Sequence, residues 1–312
     1  MNDKNFEELL YKIKIFNETV WDRKVSIKKI NPWLDNFKDE EKLDFLFLLT
    51  QFIYLSKFQI RNMLVSIYRD FIKYSIVEDF RMKNSHTLDA ALIKENIRTS
   101  LLKTRFIPIG NPSESSSNLL YEFRTVNTLS TKLFIEESKI ETLDNSIENF
   151  IFIDDICGSG SQVEEYTKNA VSIIKNKFPS AKIHYYTLVA SEKGIDHVNK
   201  LNWFTHIDTV MKLDESYRCF SDKSRFFKNN TSIDPDKLKL ICEKYGTKLI
   251  ESMLERAGKP TKYATYHKLG FNDGQLLIGF DHNTPDNTLP IFWYDENITP
   301  WSSIFPRKHK VY

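Results

Sequence analysis

The sequence predicts an α/β protein built on a parallel sheet, preceded by a helical region. Residues 1–109 contain no glycine, and their apolar residues recur at three- and four-residue steps, the spacing of an amphipathic helix. From about residue 104 short apolar runs alternate with polar loops and longer amphipathic stretches, as strand–loop–helix units of a parallel sheet do. Finally, Phe150-Ile-Phe-Ile runs into Asp154-Asp155 and then into a loop of small residues ahead of a helix. The apolar run reads as a strand buried on both faces, and the helix beyond the loop offers its positive N-terminus to an anion.

Taken in order, Asn31-Pro32-Trp33 predicts a helix start with proline in the first turn. Leu43, Phe45, Leu46, Leu49 and Phe52 predict one further helix, and Ile60, Leu64, Ile67, Phe71 and Ile72 another. Strands are expected at 105–109, 131–135, 150–153, 183–190 and 207–213, with helices at 118–127, 163–178 and 192–201. Residues 214–262 are polar and basic and read as an insertion or lid, while Leu276–Phe280 is strand-like again. The expected organisation is a helical region over 1–100, an α/β core over 101–213, an insertion or lid over 214–268, and C-terminal strands over 269–312 that complete the core and lead to a tail.

Composition bounds the function. A net charge of +2, from 44 basic and 42 acidic residues, gives no global attraction to nucleic acid or anionic membrane. The apolar stretch Phe45–Leu55 falls short of the roughly 20 residues a membrane span needs. Cys157, Cys219 and Cys242 are few, odd in number and without metal-type spacing. Together with an N-terminus that lacks an apolar signal core, they lead us to expect a cytoplasmic protein.

The chemistry concentrates at 150–162, Phe-Ile-Phe-Ile-Asp-Asp-Ile-Cys-Gly-Ser-Gly-Ser-Gln. A dinucleotide-binding fingerprint needs a third glycine where Val163 stands, and a P-loop needs a lysine that is missing. A phosphatase with an aspartyl nucleophile would want a second carboxylate at Ile156. Carboxylates do not hold phosphate. They suit hydroxyls or a metal beside it, so the ligand chemistry is that of a sugar phosphate. The alternative is that Asp154 and Asp155 end a strand and cap a helix. Cys157 reads as a space-filler rather than a nucleophile, since no partner histidine is placed beside it by sequence.

This arrangement resembles the phosphoribosyl pyrophosphate (PRPP) loop of the type I phosphoribosyltransferases, matching through Ser159-Gly160 and departing at Gln162, where the pattern has a hydroxyl. The resemblance implies a type I phosphoribosyltransferase-like core. Asp154 and Asp155 would be the catalytic pair at the ribose hydroxyls. The backbone of Cys157, Gly158, Ser159, Gly160, Ser161 and Gln162, with the two serine hydroxyls, would be the 5′-phosphate seat. Carboxylates near a ribose whose anomeric bond breaks stabilise the developing positive charge. The leaving pyrophosphate calls for Mg²⁺, held through the ligand and with Asp154 or Asp155 as its protein contact. The family carries its pyrophosphate loop at a strand–loop–helix junction like Phe106–Tyr121, which makes Gly110, Asn111, Ser113 and Ser115 candidate donors. Glu114 would bind Mg²⁺ or face away. Only about two dozen residues separate Thr128 from Phe150, too few for a long hood over the site.

A third segment, Gly270–Trp293, delivers His282, Asn283, Thr284, Asn287 and Thr288 into a polar turn, read either as a base or acceptor pocket or as an ordinary Asn-Thr-Pro turn. Arg218–Lys228, with Phe220, Phe226 and Phe227 interleaved, reads as a nucleic-acid contact or as part of a solvated lid. The order of these segments is similar to that of phosphoribosyltransferase-like proteins of bacterial conflict systems, found beside retron reverse transcriptases. The resemblance implies an anti-phage effector, with PRPP or a nucleotide as ligand. A reverse transcriptase with its msDNA, or another defence component, would be its partner, and homo-oligomers and pentosyl transfer as its chemistry are further expectations. The alternatives are a non-catalytic sensor of PRPP or nucleotide, and a nucleic-acid- or partner-binding module on the same fold.

Overall fold

The computed structural model describes residues 3–25, 27–110, 115–228, 230, 232–295 and 300–307. Its strands are β1 (Ile53–Leu55), β2 (Thr104–Pro108), β3 (Asn149–Cys157), β4 (Lys182–Ser191), β5 (His206–Leu213) and β6 (Ile278–Phe280). The chain divides into two compact units, one formed by Met1–Phe58 with Asp214–Tyr312 and the other by Gln59–Leu213. The division differs from the organisation expected from sequence, which ran the helical region to residue 100 and returned the C-terminal strands to the core.

The Gln59–Leu213 unit holds a four-stranded parallel sheet in the order β2-β3-β4-β5. Phe106 of β2 pairs with Ile151 of β3 and also bridges, in parallel, to Phe134. Phe134 must therefore lie along the opposite edge of β2, where the Ile135 amide donates to the Phe106 carbonyl at 3.0 Å. The chain thus leaves β2, runs along its outer edge at 134, and comes back past it to β3. The order of the sheet reverses between β2 and β3, and in open α/β sheets ligands bind at the carboxyl ends of the strands at such a reversal.

Side chains alternate across the sheet. Ile107, Phe150, Phe152 and Tyr185 pack with Val171 and Ile174 of helix Ser161–Lys177 and with Val198 of helix Glu192–Lys200. On the other face Phe106 meets Phe123 of helix Ser115–Val126 at 5.2 Å between ring centroids. There too Phe71, in a π-helical stretch Ile67–Lys73, meets Tyr186 at 5.5 Å. The helices expected at 163–178 and 192–201 are in place. The strand expected at 131–135 is reduced to a 3₁₀ turn, Thr131–Leu133, and the single bridge at Phe134.

In the other unit β1 and β6 form a separate two-stranded parallel sheet, so Leu276–Phe280 pairs with Ile53–Leu55 and does not complete the core sheet. Around it lies an aromatic core. Trp33 stacks on Phe292 at 5.4 Å and donates its indole N–H to the Ile291 carbonyl at 2.9 Å, and Phe52 stacks on Phe305 at 4.1 Å. Pro32 sits inside helix Ile27–Leu34 and does not start it. Residues 214–268 are not a solvated lid. Helix Pro235–Arg256 buries Leu238, Cys242, Leu249 and Ile250 in this core, and Cys219, Phe226 and Phe227 are buried with them. The two arginines of the Arg218–Lys228 stretch are engaged locally. Arg218 pairs with Glu215 at 2.8 Å and Asp273 at 2.6 Å, and Arg225 lies over the Tyr217 ring at 3.5 Å. Polar sequence hid this because the buried apolar residues are spaced among lysines, whose stems cover apolar surface while their heads stay in water.

Among the described residues, no helix is long and apolar enough to cross a membrane.

Candidate functional site

The site lies at the carboxyl end of β3, on the β3 side of the reversal in the sheet. β3 does not stop at the acid pair. Asp154 pairs with Thr187, Ile156 with Val189 and Cys157 with Ala190, so the strand runs through both carboxylates. Aspartates are poor strand formers. Here each one compensates locally: Asp154 Oδ1 accepts from the Asp155 amide at 3.0 Å, and Asp155 Oδ1 from the Ile156 amide at 2.8 Å.

The two carboxylates occupy different environments. Asp154 is buried at 5% exposure, and its second oxygen accepts from the Tyr185 hydroxyl at 3.3 Å. Burial, reinforced by the charge of Asp155, pushes its carboxyl well above the usual range. Asp155 is half-buried. Cys157 is buried, and desolvation raises its thiol to about 12, so it stays a thiol and packs as a small apolar group.

Beyond Cys157 the chain turns through Gly158, Ser159 and Gly160. Gly160 adopts φ +82°, the left-handed region that glycine enters without strain, and helix Ser161–Lys177 starts immediately after it. Helices Ala90–Leu102, Glu192–Lys200 and Pro235–Arg256 begin with Asp89, Ser191 and Asp234, whose side chains cap their first amides. Gly160 provides no such cap. Within the loop, Ser159 Oγ donates to Ser161 Oγ at 3.1 Å and accepts a long bond from the Ser161 amide at 3.4 Å. Ser161 and Gln162 are exposed at the start of the helix. A helix start with a positive end and a glycine as its N-cap residue, at the end of a central strand, is suited to an anion.

Sequence reasoning missed the groups that surround this loop. Ser191, at the end of β4, donates its hydroxyl to the Gly158 carbonyl and accepts from the Gly194 amide at 2.9 Å. His197 Nε2 lies 2.8 Å from Glu164 Oε2 in the first turn of the helix after the loop. Ser191 carries a sequence signal, a helix-capping serine ahead of Glu192-Lys-Gly. Tyr185 and His197 carry none.

The other candidates fall elsewhere. Gly110, at φ +95°, follows β2 on the far side of the reversal, and Ser115 opens helix Ser115–Val126. Asn111, Ser113 and Glu114 lie outside the described residues. His282, Asn283, Thr284, Asn287 and Thr288 belong to the other unit. Three of their side chains serve its backbone. Thr284 Oγ1 donates to the Phe305 carbonyl at 2.9 Å, Asn287 Nδ2 to Phe271 at 3.1 Å, and Thr288 Oγ1 to Ile278 at 2.6 Å. His282, Asn283 and Thr284 also line a cavity of about 150 Å³ with Lys24, Tyr54 and Phe305. No cluster of three or more histidine, cysteine, aspartate or glutamate side chains suited to a metal occurs among the described residues.

No curated protein and no solved structure matches the chain. The PRTase-CE family profile matches residues 30–307, a span that takes in both units. That match and the parallel sheet with its loop at the reversal agree, and the chain belongs to the PRTase-CE family, a phosphoribosyltransferase-like family of conflict-associated effectors.

Proposed function

We propose that this protein binds PRPP or a related nucleotide with Mg²⁺ and transfers or hydrolyses the phosphoribosyl group, as an anti-phage effector in the cytoplasm. One observation carries the reading: the helix at Ser161 starts behind a left-handed glycine that gives it no side-chain cap, at the reversal of a parallel sheet and beside a half-buried carboxylate. The 5′-phosphate takes the first-turn amides, and Asp155 meets the ribose hydroxyls. Asp154, held by Tyr185 and a backbone amide, shapes the end of the strand. Mg²⁺ commonly takes one or two carboxylates and fills its shell with phosphate oxygens and water. Asp155 fits that need even though no three-ligand cluster occurs among the described residues, and the ion would neutralise charge on the departing pyrophosphate. A reverse transcriptase with its msDNA, or another defence component, is the partner class this role implies.

Thermal unfolding tests the reading. PRPP with Mg²⁺ raises Tm, because a ligand specific to the native state must stabilise it, by about 2.7 kcal/mol at a hundred times its Kd. Asp155→Asn removes most of that gain and Asp154→Asn keeps it. The absence of any shift with PRPP, ribose 5-phosphate or nucleotides would end the sugar-phosphate reading. The burial of Asp154 also favours a second reading, a sensor that binds without turnover, since it leaves one carboxylate where charge stabilisation would draw on two. Release of pyrophosphate on addition of candidate acceptors separates the two.

A further inference from the structure

The loop Gly158–Gly160 is held from outside by the start of helix Glu192–Lys200. Ser191 Oγ bonds the Gly158 carbonyl and, at 2.9 Å, the Gly194 amide, so one hydroxyl ties the loop to the first turn of that helix. Gly194 lies so close that an added Cβ would stand 2.6 Å from the Gly158 carbonyl oxygen and 2.7 Å from that of Cys157. At the far end of the loop, against the same helix, a Cβ on Gly160 would stand 2.9 Å from His197 Cδ2 and 3.0 Å from the Gly194 carbonyl oxygen. His197 in turn reaches Glu164 at 2.8 Å, joining the helix that carries the brace to the helix after the loop. Two glycines are thus required by close approach, on two different elements, around a single turn of backbone.

A loop that binds an anion through backbone amides has no side chain to adjust. Its affinity depends on the direction of those amides, which the elements packed on it must fix in advance. We infer that Ser191 is a positioning residue for the phosphate loop, and that the Ser191–Gly194 brace gives the site its selectivity for a 5′-phosphorylated sugar over the unphosphorylated one. The inference rests on the sugar-phosphate reading above and specifies which element sets that preference.

The experiment uses the full chain and the variants Ser191→Ala, Ser191→Thr and Gly194→Ala. Amide hydrogen exchange is followed at 158–163 without ligand, and affinities are measured for ribose 5-phosphate, PRPP with Mg²⁺ and free ribose. Ser191→Ala is expected to speed exchange at 158–163 about tenfold and to weaken both phosphorylated ligands about tenfold, with any binding of free ribose unchanged. Ser191→Thr restores both properties. Gly194→Ala, which must displace backbone, shows the larger effect of the two losses. Unchanged phosphate affinity in Ser191→Ala, or an equal loss for ribose and its phosphate, would overturn the inference. If the wild-type protein binds none of these ligands, the sugar-phosphate reading and the selectivity fail together, whereas unchanged exchange in Ser191→Ala sinks the brace alone.

Discussion

Residues 150–162 and 270–288 look alike as text: an apolar strand runs into a turn of small and polar residues, Asp, Gly and Ser in the first and Asp, His, Asn and Thr in the second. In the structure they differ in where their hydrogen bonds go. In the second segment Thr284, Asn287 and Thr288 spend their side chains on carbonyls of their own unit, and the turn is closed upon itself. In the first, a glycine at the N-cap leaves the helix start only a long bond from the Ser161 amide to Ser159, and the Ser191 hydroxyl holds the loop from behind. A polar turn becomes a binding site through the donors it leaves over, not through the polar residues it contains.

The largest expected effect tests the closed turn. Gly270 has φ +98°, and a Cβ there would stand 2.3 Å from the Asn287 carbonyl oxygen. Gly270→Ala combines a strained backbone with a clash and should cost about 3 kcal/mol or more in denaturant unfolding. A loss below about 1 kcal/mol would show that the turn is looser than its bonds imply. Thr288→Val comes next. It leaves the buried Ile278 carbonyl without its 2.6 Å donor and should cost about 1–3 kcal/mol. Any Tm gain from PRPP should stay as in wild type, whereas a lost gain would return Thr288 to the ligand site and collapse the contrast.

The smallest effect concerns Asp154. Its folded-state pKa is raised by burial, so its stabilising contribution is full below the ordinary aspartate range and declines as pH rises through the raised value. Asp154→Asn should therefore leave stability near pH 4 almost unchanged and raise Tm by a few degrees at pH 8, on the order of 1 kcal/mol. A variant destabilised more at pH 8 than at pH 4 would show that the ionised carboxylate stabilises the end of β3.

Much of the core sheet was legible because its strands announce themselves. Tyr185–Ala190 and Phe150–Ile153 are apolar runs of strand length bounded by polar loops, and the helices after them carry regular apolar faces. The passage of β3 through Asp154 and Asp155 was not legible, because pairing with β4 overrides the low strand preference of aspartate. The π-helical stretch at Ile67–Lys73 has the same apolar spacing as its α-helical flanks, so nothing in the residues marks it. At the site, the acid pair and the glycine loop were readable as a motif, but their inequality was not. Asp154 is the buried one, and it meets the hydroxyl of Tyr185, more than thirty residues away in sequence. The reading of 214–268 as a lid failed because composition reports the outside of a helix more strongly than the few positions it buries.

The division of the chain has a consequence for synthesis. β1, at Ile53–Leu55, pairs with β6, at Ile278–Phe280, and every strand of the other sheet lies between them in sequence. A ribosome therefore delivers all of the Gln59–Leu213 unit before the first unit can close, and contacts between such distant segments form late. Translation proceeds at roughly 5–20 residues per second, so Ile53-Tyr-Leu55 and the apolar helix Lys42–Thr50 before it wait ten seconds or more, on that order, for their partner. During that interval the nascent chain exposes an unpaired apolar strand, the kind of surface that chaperones bind.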